Sequence, residues 1–204
     1  MPDQDAVVAI TAETADMQNE INLVWDYLLP AISNNKLPAD VIMEAALKEK
    51  LFSLALAPAA NNPSPMLASY ISGKIFSIEP NEKQMEHVSF LFKDNICNVI
   101  LKNDTSTYKL AFGAGNWIIG ETTRRGPNLI SGAKASFKGL LPTKIAGCFS
   151  WKDENTIELI LRYIESPHTE KIICRFEKNK ILINILNSLD PNSNHPLIHG
   201  EIVR

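Results

Sequence analysis

Cysteine is scarce, with only Cys97, Cys148 and Cys174 among 204 residues. An odd number with no Cys-x-x-Cys spacing speaks against a disulfide framework and against a zinc or redox pair, so the three read as small buried hydrophobes. No apolar run approaches the ~20 residues that a membrane-spanning helix needs. Residues 1–10 have no basic start ahead of an apolar stretch, so no address signal is expected there. An excess of one charge is also missing. With 20 basic against 23 acidic side chains, a net charge of -3 gives no overall electrostatic reason to bind nucleic acid or an anionic membrane. What remains is 45% hydrophobic, enough to bury a core without disulfide or metal staples.

Catalytic signatures are missing too. Ser-x-x-Lys, which sets a lysine amine beside a nucleophilic hydroxyl when it occupies one helical turn, occurs at Ser33–Lys36, Ser106–Lys109 and Ser131–Lys134. The first lies in an inter-helix loop, the second opens a strand and the third lies in a glycine-containing connection, so none has the required context. No Tyr-x-Asn, Lys-Thr-Gly, His-x-Gly or Gly-x-Ser-x-Gly accompanies them. Gly113 and Gly115 start like a phosphate-binding loop, but β-favouring Trp117, Ile118 and Ile119 follow where a helix is needed, so a hairpin turn is the better reading. His195 and His199 have the spacing of a helical metal pair, yet Pro196 and the polar stretch 190–194 exclude the helix. His87 and His168 read as strand-end or turn histidines, and Asp153, Glu154 and Glu158 as a solvated turn. No metal and no cofactor is expected. The candidate ligand-binding residues are Trp117 and Trp151, which could line a cavity although core filling is the plainer reading, and Arg124 and Arg125, adjacent loop cations suited to gripping a carboxylate or a neighbouring domain.

The opening run Ala6 to Thr11 reads as a buried strand. Met17, Ile21, Val24, Trp25, Leu28 and Leu29 recur at helical spacing, with Thr14 or Asp16 as the cap and Pro30 limiting the end. A second helix is expected next, with Pro38 in its first turn and Ile42, Ala45, Leu47, Leu51 and Leu54 as its apolar stripe. Residues 55–68, rich in proline and asparagine, read as a linker. Beyond them the pattern changes to period two. Val88-Phe90-Phe92, Cys97-Val99-Leu101, Tyr108-Leu110-Phe112, Ile157-Leu159-Leu161-Tyr163, Ile172-Cys174-Phe176 and Ile181-Ile183-Ile185 each place apolar residues on one face, with turns at 153–155 and 177–179. Further strands near Ile75, Trp117 and Ala146–Trp151 bring the count to eight or nine. The expected fold is mainly β with N-terminal helices (α+β): two helices, then an antiparallel, lipocalin-like barrel over 69–189, then a C-terminal tail over 190–204.

Several stretches resemble one family. These are Ala6 to Thr11, the helix with Val24 to Ala31, Gly120 to Leu129 with its Gly-Glu-Thr-Thr-x-x-Gly-Pro-Asn-Leu pattern, and Trp151 to Glu170. Over roughly residues 6–189 the chain resembles the C-terminal region of β-lactamase-related, penicillin-binding-protein-like serine hydrolases of Bacteroides type. The resemblance implies that residues 1–54 correspond to the last strand and terminal helices of a transpeptidase-like catalytic domain, and that the barrel is its accessory β-domain. That domain would support or cover the catalytic domain, which would be its partner. The family's catalytic motifs lie upstream of the matching region, so no catalytic residue carries over and no hydrolysis is expected of this chain alone. An extracytoplasmic location is implied as well. Stripped of their sheet, the N-terminal elements would pack on the β-domain, dimerise or fray. The alternative reading is an independent carrier of a small apolar ligand.

Overall fold

The computed structural model describes residues 1–12, 14, 16–33, 35–127, 141–190 and 195–203. Ser131–Lys134, the end of the Gly120–Leu129 stretch and most of the polar stretch 190–194 therefore lie outside the described residues. The chain divides into two compact units, Met1–Ala57 and Pro58–Arg204.

In the first unit, Asp16 caps α1 (Met17–Leu23) by accepting a hydrogen bond from the Asn19 N–H at 3.0 Å. The helix then widens into a π-helical turn, Val24–Leu28, before closing in α2 (Leu29–Ala31). Pro30 explains the widening: it has no N–H to return to Asp26 and its ring crowds that carbonyl, while the Leu29 N–H reaches back five residues to Val24. Asp40 caps α3 (Val41–Phe52) through the Ile42 and Met43 N–H groups, so Pro38 lies before the cap rather than in the first turn. Two expectations fail here. Ala6 to Thr11 forms no strand, because no described segment pairs with it. The stripe on α3 is not buried: Val41, Ile42 and Met43 are consecutive and point around the helix, and Ile42 remains 78% exposed. Among the described residues of this unit none is buried.

The second unit is a closed barrel. Its strands are β1 (Ile75–Ile78), β2 (His87–Lys93), β3 (Ile96–Lys102), β4 (Thr107–Ala114), β5 (Ile118–Thr122), β6 (Thr143–Trp151), β7 (Thr156–Tyr163), β8 (Thr169–Glu177), β9 (Lys180–Asn187) and β10 (Ile198–Ile202). They run in the order β4-β3-β2-β1-β10-β9-β8-β7-β6-β5, and a parallel contact between β4 and β6 closes nine of them into a ring with β5 outside it. The expected tail at 190–204 is corrected by β10. Its Ile198 and Gly200 alternate inward between β1 and β9, and without it those two strands would be open edges. Nor is the proline-rich stretch a free tether. The Ala59 N–H donates to the Cys148 sulfur at 3.5 Å, and α4 (Pro65–Ile71) inserts the fully buried Ile71 at one end of the barrel.

Period-two alternation decides what lies inside. Phe76, Phe90 and Phe176 meet inside at centroid distances of 5.5 to 6.2 Å, toward the α4 end, because Phe176 is the last inward residue of β8 before its hairpin to β9. Leu110, Phe112, Leu159 and Leu161 belong to the same continuous buried core. The closing seam depends on Gly147, where an added Cβ would collide with the Ala111 carbonyl and press on the Phe112 ring. No helix among the described residues is long and apolar enough to cross a membrane. Gly147→Val is expected to lower stability by about 2 to 3 kcal/mol or to prevent folding, measured by urea unfolding, because it forces β4 from β6.

Candidate functional site

One end of the barrel is plugged by α4, and the opposite end carries the polar chemistry. There β7 stops at Tyr163 and β8 begins at Thr169, so the alternation that turns Leu161 and Ile172 inward also turns Tyr163 and Glu170 inward. Glu170 is only 6% exposed, and a carboxylate so placed needs a partner. β5 delivers it. Beyond Thr122, whose hydroxyl accepts the Arg124 N–H at 3.1 Å, the chain turns over the barrel end. Arg124 Nη2 donates to Glu170 Oε1 at 2.6 Å, and Nη1 donates to the Tyr163 hydroxyl at 2.8 Å. Gly126 lies flat on the Tyr163 ring, where an added Cβ would come within 2.9 Å of three ring carbons.

The electrostatics follow from burial and these partners. Burial works against the Arg124 charge, but the facing Glu170 carboxylate and Tyr163 outweigh it, and the guanidinium pKa is raised. Burial pushes the Tyr163 phenol up to about 12, with Arg124 acting in the opposite sense.

Beside the ion pair opens a pocket of about 390 Å³ with an apolar floor of Met85, Leu101, Tyr108 and Ile185. Four cationic residues, Lys83, Lys102, Arg124 and Arg125, line it, and among the described residues no acidic one does. A second pocket, of about 460 Å³, also borders Lys83 and Ile185 and continues along Pro196, Leu197 and Ile198.

The four sequence candidates separate in space. Arg124 and Arg125 stand at this open end. Trp151 points inward near the plugged end, stacked on Phe92 at 5.9 Å, where both border a groove of about 440 Å³ with α4 residues Ala68 and Ser69. Trp117 lies under the Arg162 guanidinium, 5.6 Å from ring centre to Cζ, and Arg162 alternates outward on β7. The two tryptophans therefore do not share a cavity. His195 borders the second pocket, whereas His199 faces outward on β10. Among the described residues no group of three or more His, Cys, Asp or Glu is placed to hold a metal. Asp153 and Glu154 are exposed in the β6–β7 turn, but Glu158 is not part of a solvated turn: it is buried on β7, with Lys152 at 3.5 Å. Sequence reading missed Lys83, Lys102, Tyr163 and Glu170 as site residues, since they belong to loops and strand ends far apart in the chain.

No protein-family model and no curated protein matches the chain. Among solved structures it is similar to a fatty-acid-binding protein from brain tissue of Drosophila melanogaster, with 10% identity and a TM-score of 0.43, covering 65% of this chain and 99% of that one. A likeness of that degree carries no statement about ligand or site. The structure itself defines the class: a mainly β protein with N-terminal helices and a closed, lipocalin-like barrel.

Arg124→Met should cost about 3 to 5 kcal/mol in urea unfolding, because it leaves the Glu170 carboxylate uncompensated in the barrel, and the double variant Arg124→Met/Glu170→Leu should recover most of that loss. Tyr163 supplies a pH test. Its folded value of about 12 lies above the ordinary 10.0, so its contribution is complete below pH 10 and is lost as pH rises toward 12. Tyr163→Phe should remove that part of the alkaline loss, read as a shallower fall in melting temperature above pH 10 than in the unsubstituted chain.

Proposed function

We propose that this barrel binds a small amphipathic anion at its open end. The observation that carries the reading is the lining of the pocket of about 390 Å³, which among the described residues sets four cationic ones and no acid around an apolar floor. Such a lining favours a molecule with one negative group and an apolar body. The pocket is bordered by the end of β3, the start of β4 and Arg124, so the ligand rests in the mouth of the barrel. Binding of this kind fits the carrier alternative and involves no bond making. Decanoate, titrated calorimetrically, should bind one to one and weaken as ionic strength rises about tenfold, while decan-1-ol should bind at least several-fold less tightly. Equal affinity for the two, or no heat from decanoate, would reject the reading.

A second reading is favoured by the first unit. Val7 and Phe52 are each 94% exposed there and none of its described residues is buried, so the unit has no core of its own. On this reading residues 1–54 complete a transpeptidase-like catalytic domain of a β-lactamase-related hydrolase, and the barrel is the accessory domain beside it. An antibody to the barrel decides the matter: a native product several hundred residues longer supports this reading, and one of this size rejects it. The two readings are compatible, since an accessory domain can hold a ligand.

A further inference from the structure

The two pockets at the open end are not independent, because Lys83 and Ile185 line both. Their chemistry differs. One carries the cationic residues, and the other has a wall of Pro196, Leu197 and Ile198 with Glu82 as its acid. Within the cationic half the four charges are not equivalent. Arg124 is already held by Glu170 at 2.6 Å and by Tyr163, so an incoming anion would compete with a buried carboxylate. Lys83 and Lys102, by contrast, make no ion pair with any described residue.

Lys83 is also held in place by its backbone. Asn81 organises the loop between β1 and β2: its side-chain amide donates to the carbonyls of Glu79 and Met85, both at 2.8 Å. Its oxygen accepts the Lys83 N–H at 3.1 Å and the Met85 N–H at 3.2 Å. Gln84 takes a left-handed conformation, φ 54, to complete the turn. The loop therefore presents Lys83 at the boundary of the two pockets on a fixed backbone, which reduces the ordering cost of binding.

Resting on the proposed binding reading, we infer that the two pockets are halves of one cleft for an elongated amphipathic anion. Its charged group sits at Lys83, its apolar body crosses Ile185 toward Leu197, and Lys83 rather than Arg124 sets the preference for an anion. An anionic head without an extended body fills only one half, and an uncharged body loses the lysine contact.

Two fluorescent probes with the same ring system test this: 1-anilinonaphthalene-8-sulfonate and its uncharged counterpart N-phenyl-1-naphthylamine. Lys83 and Leu197 are exposed, so substitution there leaves the core intact. Lys83→Met is expected to weaken the sulfonate about tenfold and to leave the uncharged probe within about twofold. Leu197→Asp is expected to weaken both at least about fivefold. Amide chemical-shift changes on adding the sulfonate should fall on residues 81–85, 185 and 197–198. Unchanged sulfonate affinity in Lys83→Met, unchanged affinity of both probes in Leu197→Asp, or shifts centred on Trp151 would overturn the inference while leaving small-molecule binding in place. Failure of the unsubstituted chain to bind both the sulfonate and decanoate would instead remove the underlying reading, and this inference with it.

Discussion

The barrel is closed by a seam of two parallel residue pairs, Gly113 with Cys148 and Ala114 with Phe149. A ring needs every edge paired, and this short contact supplies the last one. It is short because β6 divides one edge between two partners, β5 along 143–147 and β4 along 148–149. The exchange takes place at Gly147, where the β4 backbone comes so close that no side chain fits. One missing Cβ thus permits closure.

The same division of the β6 edge builds the open end. Since β5 leaves the ring after the turn at 115–117 and runs outside it, the chain beyond Thr122 arrives over the barrel mouth instead of continuing around the wall. Arg124 reaches Glu170 by that route, and Gly126 can lie on Tyr163. The buried ion pair belongs to the architecture of the mouth: it neutralises an inward carboxylate and fixes the rim. Charges left without such a partner, above all Lys83, are the ones available to a ligand. The opposite end follows a different rule, with α4 and the Phe92–Trp151 stack filling it by apolar packing.

Segments far apart in the chain meet at this mouth, Arg124 after β5 and Tyr163 and Glu170 at the facing ends of β7 and β8. The first unit stands in contrast. Its helices have sound caps at Asp16 and Asp40, yet their apolar side chains stay exposed. Local hydrogen bonding is enough to start a helix, whereas a buried face needs a surface to pack on.

Strand identity and inward facing were legible from the sequence because both are local. Alternation in Val88-Phe90-Phe92 or Ile181-Ile183-Ile185 tells which side is buried whatever the neighbouring strand is, and the barrel class followed from the number of such segments. The cap at Asp16 and the turns at 153–155 and 177–179 were legible for the same reason, whereas the cap at Asp40 was not. Ile198–Ile202 was not, since its inward glycine at 200 interrupts the apolar pattern and its strand character comes from bonding to β1 and β9. Nor was the site. The roles of Arg124 and Glu170 depend on their meeting across 46 residues, and that of Lys83 on facing Ile185 across about half the chain. Composition and period two determined a barrel with an apolar interior, while only register and closure decided which charges were neutralised inside it and which were left at its mouth, because a charge is defined by its partner and partners are set by the tertiary fold.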